Sequence, residues 1–386
     1  MSEHAQDTSM STETDLLMAL SRLHPSAETV EACHEFILGK SELIDWGSFI
    51  DLAARHKVLA LVSRHILRYR LFDDTKNGHW AIPYWWLYEN VYYSGRRRNR
   101  ALSDEFGKVI RRLNKDGLSY AVRKGPVISE RLYRDPGIRR MGDMDVLIAR
   151  EDAKSLASAL EDLGYIQGRV SANGSTVQQF SRSTQAYWRM NVETNGLPFV
   201  KIAHVEHVEA FNIDVCFGIF QPKSGSVAST ADLLRRKTRT EICGETGWAL
   251  SLEDQFIDLC AHLHKEATSA YYIKGGFDLE LLKFLDIALS CVEASEMDLW
   301  AAIERQSEIY NANRSVYYAL YHTALLYPDE IPSHILDRFR PSDMGFLDEY
   351  GTFEGRPKKW DIPFLDRLFD VGRVRNVAEA NILPRA

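Results

Sequence analysis

Residues 123–165 read RKGPVISERLYRDPGIRRMGDMDVLIAREDAKSLASALEDLGY, and this stretch decides the fold. A short strand over Leu118 to Val122 runs into a glycine turn at Lys124-Gly125-Pro126. Val127 to Tyr133 reads as a helical turn or two, followed by an Arg-rich loop and a second strand from Asp143 to Ala149. Glu151 to Leu163 repeats at helical spacing and stops at Gly164, a usual helix end. The second strand carries Asp143 and Asp145 two residues apart, so both project from one face. Carboxylates held that close repel unless a cation or a shared proton lies between them. A hard divalent ion takes one or two carboxylates and completes its shell with water and substrate phosphates. The pair therefore points to metal-dependent phosphoryl chemistry, against the plainer reading of a solvated strand end.

Outward from this stretch the pattern stays mixed for some distance. Tyr165 onward, Val177 to Phe180, Tyr187 to Val192, Val200 to Glu206 and Phe211 to Phe217 read as further strands, with Asn173-Gly174 as a hairpin turn. Asp214 is the one acid in the last of them. This block spans residues 117–222. Residues 15–116 are helical by periodicity, and Ser41 offers a start for the helix holding Leu43, Trp46, Phe49 and Ile50. A long helix opens after Pro83 and runs to about Asn114, weakened at Gly95 and Gly107. Trp85, Tyr88 and Tyr92 share one face of it and read as core. Residues 223–386 turn helical again. Ser251 caps a strong helix to about Glu266, and a second covers Asp278 to Glu293, where Lys283 and Asp286 stand as an i,i+3 pair. The tail from Pro328 reads as irregular packing or a lid. The expected class is α+β, a small mixed-sheet core flanked by helical N-terminal and C-terminal regions, behind a disordered tail over residues 1–14.

Composition narrows the setting. The hydrophobic fraction of 45% and the charged fraction of 26% are ordinary for a globular protein. A net charge of -7 supplies no field toward nucleic acid or anionic membrane. The basic run Arg96-Arg97-Arg98 with Arg100 reads first as a solvated helix face. Five scattered cysteines with no C-x-x-C pair argue against a zinc site or a disulfide framework and fit a reducing cytoplasm. No signal-peptide core and no apolar run of membrane-spanning length is present, so a cytoplasmic protein is expected.

If the strand of Asp214 lies beside that of Asp143 and Asp145, three carboxylates converge, as two-metal nucleotidyl transfer requires. Lys124 and Gly125 offer a positive charge and a close backbone approach for phosphates. Arg139 and Arg140 stand where they could neutralise charge building on those phosphates. His262 and His264 are two apart on a helix and do not share a face. His204 and His207 fall on opposite faces of a strand. Neither pair reads as joint metal ligands.

The quoted run resembles the uncharacterised bacterial nucleotidyltransferases of the polymerase-beta superfamily. The shared pattern is Lys124-Gly125, Tyr133, the loop Asp135-Pro136-Gly137-Ile138-Arg139, the strand Asp143-Met144-Asp145 and Gly164-Tyr165. The downstream helices SLEDQFIDLCAHLHKEA and LELLKFLDIALS resemble that family's helical half. The resemblance implies Asp143 and Asp145 as ligands of Mg²⁺ (or Mn²⁺), with Asp214 as the third carboxylate and Lys124 and Gly125 against the triphosphate. It implies transfer of a nucleoside monophosphate from an NTP, ATP being the first candidate, to a small molecule, peptide or protein, with release of pyrophosphate. Pro126 departs from the wider superfamily's turn by removing one N–H. That departure motivates a rival, a nucleotide-binding or scaffold protein without turnover. A toxin-like enzyme modifying protein or tRNA is the third option, with tRNA disfavoured by the acidic charge.

Overall fold

The computed structural model describes residues 11–74, 78–352 and 356–377. It divides into two compact units, Met1–Ser94 and Gly95–Ala386.

The first unit is helical: α1 (Thr12–Leu20), α2 (Ala27–Lys40), α3 (Trp46–Arg55), α4 (Leu59–Arg68), a hairpin of β1 (Asp73–Asp74) and β2 (His79–Trp80), and the start of α5 (Trp85–Lys115). Leu16, Leu17, Leu20, Ile37, Phe49 and Ile66 fill its core. Of the tail expected over residues 1–14, residues 1–10 lie outside the described residues. Thr12 to Thr14 instead form the first turn of α1, capped by Ser11. Ser41 opens only a short 3-10 turn, because Asp45 is the stronger cap: its Oδ1 accepts the Ser48 N–H at 3.0 Å and starts α3. Tyr88 is buried as expected, while Trp85 and Tyr92 are half-buried.

α5 runs unbroken through both glycines. Gly107 is there for packing: a Cβ at that position would stand 2.8 Å from the Cys243 carbonyl oxygen. The second half of α5 lays Leu102, Phe106, Val109, Ile110 and Leu113 on the sheet of the second unit. Each such buried side chain contributes about 1.5–3 kcal/mol.

That sheet has eight strands: β3 (Tyr120–Arg123), β4 (Met144–Ile148), β5 (Ile166–Val170), β6 (Val177–Gln179), β7 (Phe199–Val205), β8 (Val208–Cys216), β9 (Thr238–Ile242) and β10 (Glu245–Ala249). Their spatial order is β6-β5-β7-β8-β4-β3-β10-β9. β4 is parallel to β8 and antiparallel to β3, and β3 is parallel to β10, so the sheet is mixed. α6 (Gly125–Ile128) follows β3, and α7 (Ala153–Asp162) packs Leu156, Ala159 and Leu160 into the same core. Tyr187 to Val192, expected as a strand, belongs to α8 (Arg182–Asn191). Ser181 accepts the Thr184 N–H at 3.1 Å there, and the cap overrides the β-prone Tyr-Trp composition. The division between the two units falls within α5. The sheet also reaches past residue 222, because Ala249 pairs with Val122.

α9 (Thr230–Arg236) precedes β9. A helical layer follows β10: α10 (Leu252–Thr268), α11 (Ala270–Gly275), α12 (Leu281–Glu296), α13 (Trp300–Ile309) and α14 (Asn313–Leu326). Ser251 caps α10, accepting the Asp254 N–H at 3.3 Å. The tail holds α15 (Ser333–Phe339), the hairpin of β11 (Glu349–Tyr350) and β12 (Lys358–Lys359), and α16 (Phe364–Phe369). It is packed rather than loose: Arg373 donates to the buried Asp278 at 2.6 Å, and Gly351 donates to the Thr268 carbonyl at 2.6 Å. No described helix is long and apolar enough to cross a membrane.

Candidate active site

The parallel pairing of β4 with β8 sets Asp145 directly beside Asp214, and the antiparallel pairing of β3 with β4 sets Arg123 opposite Asp145. Register partners on neighbouring strands point to one face about 4.8 Å apart. Arg123, Asp145 and Asp214 therefore form a row across three strands. Asp143, at the entry to β4, is exposed by surface area but lies close enough to feel both other carboxylates.

The turn after β3 closes on this row. Lys124 takes φ 52° and ψ -118°, which aims its Nζ to 3.4 Å from Asp145 Oδ2. A Cβ on Gly125 would be 3.9 Å from the Asp143 carbonyl and 3.6 Å from an Arg139 nitrogen, so the turn packs against the loop that delivers the carboxylates. Cys216 donates from Sγ to Asp145 Oδ1 at 3.5 Å.

Electrostatics distinguish the three acids. Burial would raise Asp145, but Lys124 and Arg123 outweigh it and hold the pKa below the ordinary carboxylate value. Asp214 is pushed up to about 7, by burial first and then by Asp143 and Asp145. Asp143 is raised by loss of water and by Asp145, with Lys124 and Arg139 pulling the other way. These carboxylates are the hard oxygen donors of the site. Among the described residues, no three or more His, Cys, Asp or Glu side chains are gathered tightly enough to hold a metal ion as they stand.

α10 lies opposite Arg123, Lys124 and Asp145 across a cleft, and Asp143 and Asp214 are not among its lining residues. The charged wall of the cleft is Arg123, Lys124, Asp145 and Lys265; His262, Thr194, Asn195, Gln221, Ser224 and Ser315 supply uncharged polar groups. Arg123 is fixed by Asp258 of α10, its Nε donating to Oδ2 at 2.9 Å. His262 Nε2 lies 3.2 Å from Glu266, yet burial and four surrounding cations hold its pKa well below the usual value, so the ring is neutral.

Arg139 is buried and is not among the residues that line the cleft. Its guanidinium forms a two-point pair with Asp286 of α12, at 2.9 and 2.8 Å, and Tyr133 donates to the same carboxylate at 2.8 Å. Asp286 therefore serves Arg139, while Lys283, expected as its partner, pairs with Glu266 and Glu280. Arg140 is exposed and close enough to Arg98 to lower that residue's pKa to about 10, behind the larger effect of burial. Arg98 in turn donates to the Met141 carbonyl, so the Arg96–Arg100 run is a solvated face only at Arg97 and Arg100. Asn99 clamps the same loop, donating to Pro136 and Arg139 carbonyls at 2.6 and 2.7 Å. His204 near the end of β7 and His207 on the β7–β8 turn are exposed and not among the residues lining the cleft.

Asp258 and Lys265 escaped the sequence reading, and His262 was weighed there only as a metal ligand paired with His264. The available signal was a polar stripe at spacings of four and three on a helix otherwise filled by Phe256, Ile257, Leu259, Cys260 and Leu263.

The class defined by this fold and cleft is an α+β protein with acidic and basic groups meeting on adjacent strands under a helical layer. The family of uncharacterised nucleotidyltransferases matches residues 42–328, and the chain belongs to that family. No curated protein and no solved structure matches it.

Proposed function

We propose that the protein transfers a nucleoside monophosphate from an NTP to an acceptor on the polymerase-beta plan, releasing pyrophosphate. The observation that carries this reading is the alignment of Asp145 with Asp214 on parallel neighbours, with the Lys124–Gly125 turn packed against Asp143. The donor chemistry fits Mg²⁺ or Mn²⁺: burial first, and repulsion from Asp143 and Asp145 second, disfavour the charged Asp214, and a divalent cation would offset both. Asp143, Asp145 and Asp214 would hold it, and when bound it supplies charge for the triphosphate. Lys124 holds phosphate oxygens, and Gly125 lets backbone approach them. Asp214 orients the acceptor and receives its proton as the acceptor oxygen bonds to the α-phosphorus and the bond to the departing pyrophosphate breaks. Arg139 and Arg140 balance charge at the carboxylate loop. ATP is the first NTP to try, and the acidic net charge favours a small molecule, peptide or protein as acceptor over nucleic acid.

Thermal unfolding with each NTP, with and without Mg²⁺, tests the reading. A ligand at 100 times its Kd adds about 2.7 kcal/mol. A metal-dependent shift should appear in the wild type and vanish in Asp143→Ala, and pyrophosphate release should be lost in Asp145→Asn. Full activity in either variant would sink the mechanism. A second reading, nucleotide binding without turnover, draws on the ammonium of Lys124 resting on Asp145 and on the absence of a tight donor group among the described residues. It expects the thermal shift without pyrophosphate.

A further inference from the structure

Four cations stand along or beside the charged wall of the cleft, and three are committed to carboxylates. Arg123 is held by Asp258, Lys124 lies on Asp145, and Lys283 pairs with Glu266 and Glu280. Lys265 is the exception. It lines the cleft from α10 and, among the described residues, forms no ion pair. The adjacent Glu266 already serves both Lys283 and His262. The Lys265 ammonium lies over the face of Tyr272, 5.0 Å from the ring centre. A half-buried ammonium without a counterion, flanked by Lys124 and Arg123, is electrostatically unfavourable, and an anion in the cleft would reverse that. Burial, together with those two neighbours, lowers its pKa to about 8 despite the attraction of Glu266 and Asp145.

We infer that Lys265 binds the terminal phosphates of the NTP, the part that departs as pyrophosphate, from the side of the cleft opposite the carboxylates. The inference rests on the proposed nucleotidyl transfer and adds the residue that selects a triphosphate over a monophosphate. The sheet-side groups hold the α-phosphate region through Lys124 and the carboxylates. The helix-side ammonium is left for the charge farthest along the chain of phosphates.

The test is calorimetric titration of the full chain, in Mg²⁺, with pyrophosphate, AMP and a non-hydrolysable ATP analogue. Wild type, Lys265→Gln and Lys265→Arg are compared, with circular dichroism and melting to show that each is folded. Lys265→Gln should weaken pyrophosphate and the ATP analogue by roughly 10- to 100-fold, the size of a charge-assisted contact, while AMP changes little. Lys265→Arg should retain most of the triphosphate preference. A purely structural lysine packed on Tyr272 would lower the melting point and leave the triphosphate-to-monophosphate ratio untouched, which would overturn the inference. Equal weakening of all three ligands would overturn it too. Failure of the wild type to bind any of them would refute the nucleotidyl-transfer reading itself, and the inference with it. Wild-type binding lost in Asp145→Asn but unaffected in Lys265→Gln would refute the inference alone.

Discussion

Lys124 holds the turn after β3 in a backbone conformation that L-residues avoid, φ 52° with ψ -118°. Such a conformation costs a non-glycine residue about 1–3 kcal/mol, whereas glycine adopts positive φ freely. Comparing Lys124→Gly with Lys124→Ala isolates that cost. Both variants lose the ammonium and its 3.4 Å contact with Asp145, so the loss cancels between them. At an ordinary site the glycine variant is the less stable of such a pair by roughly 0.5–1 kcal/mol. Here the order should invert, with the glycine variant ahead by about 1 kcal/mol once relieved strain is set against unfolded-chain entropy. Urea unfolding of the two side by side measures it, read as a shift in midpoint at constant slope. An alanine variant as stable as the glycine one would refute the claim that this turn stores strain. Neither variant should release pyrophosphate, because the strained backbone serves to place the missing ammonium.

Arg139→Met should cost about 3–5 kcal/mol, since it leaves Asp286 buried without its cation, and adding Asp286→Leu should recover most of that in urea unfolding. Gly107→Ala should destabilise by roughly 1–3 kcal/mol in thermal melting, against the usual gain of about 1 kcal/mol in a helix interior, because the new methyl meets the Cys243 carbonyl at 2.8 Å. His322 is buried, with its pKa lowered from 6.5 to about 3, chiefly by burial. The unfolded chain therefore binds a proton below pH 6.5 that the folded one refuses. Stability is full above pH 6.5 and falls toward pH 3, by about 2 kcal/mol at pH 5. A His322→Gln variant should melt with a shallower slope between pH 6.5 and 5.

The α+β class and the strands bearing the acids were legible because they rest on local signals: the alternation in Met144–Ile148, the Asp-x-Asp spacing, and Gly164 at a helix end. Which strand lies beside which was not local. Nothing between residues 223 and 250 announces that β10 pairs with β3. α8 was misread because Tyr187, Trp188 and Val192 favour strands by composition, while the Ser181 cap is a single hydrogen bond. Lys283 and Asp286 show the same limit. An i,i+3 spacing permits a pair, but Asp286 faces Tyr133 and Arg139, partners more than a hundred residues away in sequence.

Two buried ion pairs give those distant partners a purpose beyond stability. Arg123–Asp258 joins the strand beside Lys124 to α10, and Arg139–Asp286 joins the loop before Asp143 to α12. Well-packed apolar residues of similar volume commonly stabilise as well as or better than such pairs, so stability alone does not account for them. Each pair instead fixes direction, because a carboxylate gripped at two points sets both the distance and the tilt of the guanidinium. A constellation of charges works only when held to about half an ångström. Arg123 at the end of β3 and Arg139 in the loop before β4 are each pinned to a different helix, the first immediately beside Lys124 of the cleft. The helical layer is thus tied to the strand and loop on either side of the carboxylates rather than laid over them: freed of α10 and α12, Arg123 and Arg139 would lose the two carboxylates that set their direction.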